Sequence, residues 1–254
     1  RGRVILSSVA AILQRVPPRS AFKDTILSVS ELENVSRDSL LEYLEKNGYG
    51  RTEIVMEPGE YALRGGILDL FPPGNPFPLR LDFFGDKLEY IRTFDPLSQM
   101  SRGNLKVCSL RPVREFALDK DSISCFRTGY RALFGAAKPN DHLYNSVSSG
   151  HSYMGMEHWL PLFHERLDTI FDYIPIGPIV FDHKILEACD ARWSLINDCY
   201  DARTNITSNL SKFVETDFNP LPVNRLYLQR DELNSLLKTR ALFQLQPFSA
   251  PDTS

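Results

Sequence analysis

Between Glu57 and Asp95 the chain reads EPGEYALRGGILDLFPPGNPFPLRLDFFGDKLEYIRTFD, and this stretch leaves little choice of structure. Ile67–Phe71, Leu79–Phe84 and Lys87–Phe94 are short runs rich in β-branched and aromatic residues. Pro72-Pro73-Gly74-Asn75-Pro76 and Gly85-Asp86 punctuate them as turns, which predicts a small antiparallel sheet. Side chains alternate faces along a strand. Leu79, Leu81 and Phe83 therefore share one side, the expected core face. Arg80, Asp82 and Phe84 share the other, which the core is not expected to claim. An arginine beside an unclaimed aromatic has the composition of a protein-binding hot spot rather than of a catalytic site. Gly65-Gly66 signals a bulge or a close backbone approach. With a bulge, Arg64 moves to the side of Ile67 and Asp69.

Bulk properties narrow the function classes. The 254 residues suit one large or two moderate domains. The formal net charge is −3. Residues 51–100 hold five basic side chains (Arg51, Arg64, Arg80, Lys87, Arg92) against eight acidic ones, again a balance of −3. Isolated arginines in an acidic setting fit a specific protein partner better than a phosphate backbone. Cys108, Cys125, Cys189 and Cys199 form no CxxC pair and read as reduced, mostly buried cytosolic thiols. There is no apolar run of transmembrane length and no signal peptide, so no membrane partner is expected. The chain opens at Arg1 rather than at a methionine, as a piece of a longer protein would.

Along the chain, Val4–Leu6 reads as a buried strand and Ser8–Gln14 as a helix ended by Pro17-Pro18. Thr25–Val29 reads as a strand. Ser36–Asn47 is the clearest helix, with Ser36 as N-cap, Leu40, Leu41 and Leu44 as its apolar stripe and Gly48 as its stop. Asp121–Phe134 and Asp141–Ser148 read as helices. Ile170–Ile174 and Ile179–Phe181 look like buried strands of an α/β fold. Ile185–Asn209 and Arg230–Thr239 read as helices, and the tail from Pro247 as disordered.

Local chemistry is sparse. His142, His151, His158, His164 and His183 are too scattered for a zinc pattern, and His164-Glu165 lacks the second histidine of H-E-x-x-H, so no metal site is expected. Asp69, Asp82, Asp86 and Glu89 read as solvated carboxylates of strands and a turn rather than as a magnesium nuclease cluster. Trp159 and Trp193, among apolar neighbours, read as core rather than as base-stacking platforms. There is no G-x-x-x-x-G-K-[ST] phosphate loop.

RGGILDLFP followed by LRLDFFGDKLEYIRTFD closely resembles the UvrB-homology module of the bacterial transcription-repair coupling factors (Mfd), and more loosely the excinuclease component UvrB. The resemblance extends from VILSSVAAILQRVPP to FDYIPIGPIVFD. It implies an α/β chain with an inserted α+β domain. Residues 1–18 would end the first half of a degenerate RecA-like domain. Residues 19–112 would be an inserted UvrB-like domain, residues 113–245 the returning half, and residues 246–254 a disordered tail.

The resemblance further implies that the inserted domain docks the excinuclease component UvrA through Arg64, Arg80 and Phe84. By pattern alone an exposed arginine is most often only solvated, and Phe84 is open to cover by a loop of its own chain. In UvrB the strand after D-Y-x-P ends in an acidic pair that serves magnesium and the attacking water. Here Asp182 is followed by His183, which implies a fold without catalytic residues, ATPase activity or cofactor of its own. ATP and magnesium would belong to downstream translocase domains of the parent. RNA polymerase and duplex DNA would be partners of other parts of that cytoplasmic bacterial protein. Two rivals stay open: a fragment of UvrB itself, which His183 disfavours, and a DNA-binding module, which the acidic balance disfavours.

Overall fold

The computed structural model describes residues 4–23, 25–210 and 219–247. The chain divides into two compact units, one of residues 1–19 with 125–254 and the other of residues 20–124. It starts in the first unit with helix α1 (Val9–Leu13), capped by Ser8, whose hydroxyl accepts the Ala11 N–H at 3.4 Å. Val4–Leu6 just before it is not a strand. No described strand lies beside it to take its backbone hydrogen bonds, and all three side chains are exposed.

The second unit follows. Strand β1 (Leu27–Ser30) is two residues later than expected at its start, and α2 (Arg37–Lys46) has the expected caps. Ser36 Oγ accepts the Ser39 N–H at 3.3 Å, and Gly48 takes the left-handed conformation that ends the helix (φ +89°). A six-stranded sheet is then laid down in chain order: β2 (Gly50–Arg51), β3 (Glu60–Arg64), β4 (Ile67–Leu70), β5 (Leu79–Phe84), β6 (Lys87–Phe94) and β7 (Ser101–Leu105). The β2–β3 pair is parallel and the others antiparallel. Strand β8 (Val107–Leu110) leaves the sheet to pair with β1.

One face of the sheet carries the core. Tyr61, Leu68, Leu70, Leu79, Leu81, Leu88 and Ile91 are buried against Leu40 and Leu44 of α2 and against Val29, Cys108 and Leu110. A fully buried leucine contributes roughly 1.5–3 kcal/mol, so this face dominates the unit's stability. Leu88 and Ile91 lie three apart yet both face inward. The reason is a bulge: Asp82 pairs with Tyr90 but Phe83 with Leu88, so Glu89 is an added residue that resets the alternation.

Gly65-Gly66 is not a bulge. It is the two-residue turn of the β3–β4 hairpin, pairing Arg64 with Ile67. Gly65, at φ +61°, occupies the first turn position, which a II′ hairpin reserves for glycine. The close backbone approach is at Gly66, where an added Cβ would lie 2.7 Å from the Phe83 carbonyl oxygen. A reversal of direction, rather than an inserted residue, puts Arg64 on the side of Asp69.

Helix α3 (Lys120–Phe134) returns the chain to the first unit, which continues with α4 (His142–Ser148), α5 (Ile170–Tyr173), β9 (Ile179–Phe181), α6 (Ile185–Leu210), α7 (Val223–Leu226), α8 (Arg230–Leu237) and β10 (Leu242–Gln244). Phe126 and Tyr130 of α3 are buried with Tyr144 and Phe163, and Leu13 of α1 is buried with Phe171, Cys189, Leu228 and Leu233. Ile170–Ile174 is not a strand. Thr169 and Asp172 form a reciprocal capping box, with Asp172 Oδ2 accepting the Thr169 N–H at 2.8 Å, and this closes one helical turn. Ile179–Phe181 is a strand, but its partner is the short parallel β10 and its side chains are only partly covered. Trp159 and Trp193 are core-side residues, their indole N–H groups donating to the carbonyls of Asn219 (3.0 Å) and Leu228 (2.9 Å). All four cysteines are free, and burial pushes the Cys108 thiol up to about 12. The tail expected to be disordered lies, from residue 248 on, outside the described residues.

Candidate functional site: the arginine face of the sheet

Residues paired across neighbouring strands project to the same side of a sheet. On the face opposite the leucine core the register builds two adjacent rows. One runs Ala62, Asp69, Arg80, Arg92; the next runs Arg64, Ile67, Asp82, Tyr90. The rows juxtapose residues that sequence alone treats separately.

Asp69 is the centre of this face and is completely buried. The expectation of a solvated carboxylate is therefore wrong for Asp69. It sits between Leu68 and Leu70 in the middle of the sheet, and two arginines cover it. Arg80 Nε donates to Oδ1 at 2.7 Å and Arg80 Nη2 to Oδ2 at 2.9 Å. Arg64 Nη2 donates to the same Oδ2 at 2.7 Å. Charge-assisted bonds of this bidentate kind are the strong ones, and a buried carboxylate is tolerable only with such partners.

Arg80 also differs from its expectation. Its side chain is only 16 % exposed. Nη1 donates to the Gln99 carbonyl at 3.2 Å, and the guanidinium lies 4.7 Å from the centre of the Phe94 ring. Hydrogen bonding to Asp69 holds the Arg80 guanidinium above its ordinary range, against a smaller opposing effect of burial. Arg80 is thus on the face that parity assigns, but the interior claims it. Arg64 is different, with 51 % of its side chain exposed.

The Gln99 carbonyl belongs to a tight turn between β6 and β7. Asp95 Oδ1 accepts the N–H groups of Ser98 (2.9 Å) and Leu97 (3.1 Å), and Arg102 Nη2 donates to its Oδ2 at 2.5 Å. The Ser98 N–H, most of all, holds the Asp95 carboxyl below its ordinary range. Gln99 takes φ +59°, unusual for a residue with a side chain, while its amide donates to the carbonyls of Pro96 (2.7 Å) and Val55 (3.2 Å). Leu97 and Met100 are exposed on this turn.

Phe84 closes β5 and is 76 % exposed. It immediately precedes the Gly85-Asp86 turn, and no loop among the described residues covers it. Ile67 and Tyr90, which sequence reasoning did not single out, are also exposed, and Arg92 lies 4.9 Å over the Tyr90 ring. Alternation within β6 gives no warning of Tyr90, because the bulge at Glu89 resets it. The usable signal was Leu88 and Ile91 at a spacing of three, which places Tyr90 opposite the core.

Asp182 and His183 follow β9 directly. His183 Nδ1 lies 3.0 Å from Asp182 Oδ1, which also accepts the Lys184 N–H at 3.0 Å, and both side chains reach solvent. A groove of about 550 Å³ lies near, lined mainly by apolar side chains including Ile12, Phe181, Leu186, Trp193 and Phe243.

The family model described as the UvrB interaction domain matches residues 27–116, which contain the whole arginine face. Over 253 residues, 98 % of this chain, the sequence is 35 % identical to the transcription-repair-coupling factor of Escherichia coli K12. These matches support a UvrB-like module of the transcription-repair-coupling factor kind. The chain is 32 % identical over 93 % of its length to the factor of Haemophilus influenzae, and 29 % identical over 94 % to that of Rickettsia conorii. It spans only 21 %, 20 % and 21 % of those three relatives. The match is thus to one UvrB-like part of longer proteins. Among the described residues no helix is long and apolar enough to cross a membrane.

Proposed function

We propose that the sheet-bearing unit docks UvrA by presenting a surface like that of UvrB, and so recruits the excision machinery in transcription-coupled repair. The observation that carries this reading is Phe84: a large aromatic, 76 % exposed at the end of a strand inside the family-matched region, on the same side as a half-exposed Arg64. Aromatic and arginine side chains dominate binding hot spots, and exposing such a phenylalanine gives a monomer no stability. Arg80 belongs to the same face, with most of its side chain covered. UvrB, presenting the same surface, would compete for UvrA at handover.

The unit of residues 1–19 and 125–254 is read as a degenerate RecA-like domain. Its parallel β9–β10 pair, with α6, α7 and α8 between the two strands in sequence, supports that reading. Asp182 is followed by an imidazole where an attacking water needs a carboxylate, so this part is taken to neither bind nor hydrolyse ATP and to need no cofactor. ATP, magnesium, duplex DNA and RNA polymerase are assigned to other domains of the parent, a cytoplasmic ATP-driven DNA translocase.

The test is direct binding of the purified chain to UvrA, with UvrB as competitor and with ATP and a DNA duplex as controls. Saturable binding displaced by UvrB is expected, with DNA affinity no better than roughly 10⁻⁴–10⁻⁶ M at physiological salt. Tight, steeply salt-dependent DNA binding without UvrA binding would favour the DNA-binding reading instead.

A further inference from the structure

We infer that Arg80 is a positioning residue rather than a contact of the docking face: it occupies Asp69 so that Arg64 stays extended toward solvent. This inference rests on the docking reading for its binding arm only. The geometry divides the work between the two arginines. Arg80 takes Oδ1 with Nε and shares Oδ2 with Nη2, which leaves Arg64 a single attachment, Nη2 to Oδ2. A guanidinium offers five donors in a rigid fork, and one attachment leaves the other four for a partner. Arg80 has each of its three nitrogens engaged: the third, Nη1, is on the Gln99 carbonyl, and its flat face is over Phe94.

Consider Asp69 without Arg80. A fully buried carboxylate would lose two of its three charge-assisted bonds. The nearest remaining cation is Arg64, which sits in the adjacent row of the same face. It would turn both Nε and Nη2 onto the carboxylate, because an unpaired buried charge costs more than the solvation of an exposed guanidinium. Arg64 would then be withdrawn from the surface. The same loss frees the Gln99 carbonyl and with it the turn bearing Leu97 and Met100. Arg80 therefore sets two elements of the face while itself remaining mostly covered.

The inference gives a specific pattern of non-additivity. Affinity for UvrA would be measured for Arg64→Ala, Arg80→Ala and the double variant, at a temperature where circular dichroism shows each to be folded. Each single change is expected to weaken binding roughly thirtyfold, and the double variant by nearly the same factor. Independent contacts would instead multiply to roughly a thousandfold, and that result overturns the inference. Unchanged affinity in Arg80→Ala overturns it as well. If Arg80→Ala does not fold, Arg80→Lys takes its place, keeping the charge at Asp69 but not the fork.

A second readout needs no partner. In the free chain, proton exchange at the Arg64 Nε–H, followed by NMR, is expected to slow several-fold in the Arg80 variant as that group moves onto Asp69. Exchange that is unchanged or faster overturns the inference even where binding is lost. If the wild-type chain fails to bind UvrA, the docking reading falls and the exchange experiment still decides the role of Arg80.

Discussion

The start of β5 and its end hold residues four apart on the same side of one strand, yet they are different materials. Near the start, Arg80 is packed over Phe94 and locked to a buried carboxylate. At the end, Phe84 stands in solvent. A charged side chain is interior and an apolar one exterior, the reverse of their ordinary preference. Each inversion has its own condition. Arg80 is tolerated inside because Asp69 opposite it supplies full charge compensation. Phe84 stands outside where the strand ends in a tight turn, beyond the reach of the core on either face. The lesson is that chemical type does not tell which of the two forms the contact surface and which supports it.

That contrast is breakable in stages. The largest effect is expected for Arg80→Ala. Stripping a buried carboxylate of its main partner typically costs about 3–5 kcal/mol, so thermal melting should show a drop of many degrees. A melt within a degree or two of wild type would mean that Arg64 or water replaces Arg80 without loss. Next is Phe84→Ala, which should cost about 2 kcal/mol in binding to UvrA, roughly thirtyfold, with stability changed by less than about 0.5 kcal/mol. A large melting shift in that variant would place Phe84 in the support rather than in the surface.

Gly66→Ala sharpens the comparison from the backbone. Its Cβ would meet the Phe83 carbonyl oxygen at 2.7 Å, so β4 and β5 must separate at the edge between Arg64 and Phe84. Overpacking of this kind costs roughly 1–3 kcal/mol, read by denaturant unfolding. The smallest effect on the free chain is expected for Arg64→Ala. Half exposed and singly attached, Arg64 should contribute at most about 1 kcal/mol to stability, because Arg80 keeps Asp69 paired. Its binding loss without a matching melting loss would separate surface from support within one ion cluster.

The amino-acid sequence by itself determined three strands of the sheet (β4, β5 and β6), the caps of α2 and the side on which Arg80, Asp82 and Phe84 lie. These are local matters: a period of two, turn dipeptides and a serine cap act over a few residues. It also carried the family likeness, since RGGILDLFP and LRLDFFGDKLEYIRTFD are contiguous. It misled at Ile170–Ile174, where an apolar run fits a strand or a helix turn equally well, and the Thr169–Asp172 capping box decided for the helix. It misled again at Asp69 and Arg80. Their pairing joins residues eleven apart through the register of β4 on β5, and a shift of one residue would have sent the two side chains to opposite faces. Only the tertiary structure decided that register, because it is selected by burying Leu68, Leu70, Leu79 and Leu81 together on the other side. The arginine that the sequence offered as a surface contact became a buried support through the packing of leucines it does not touch.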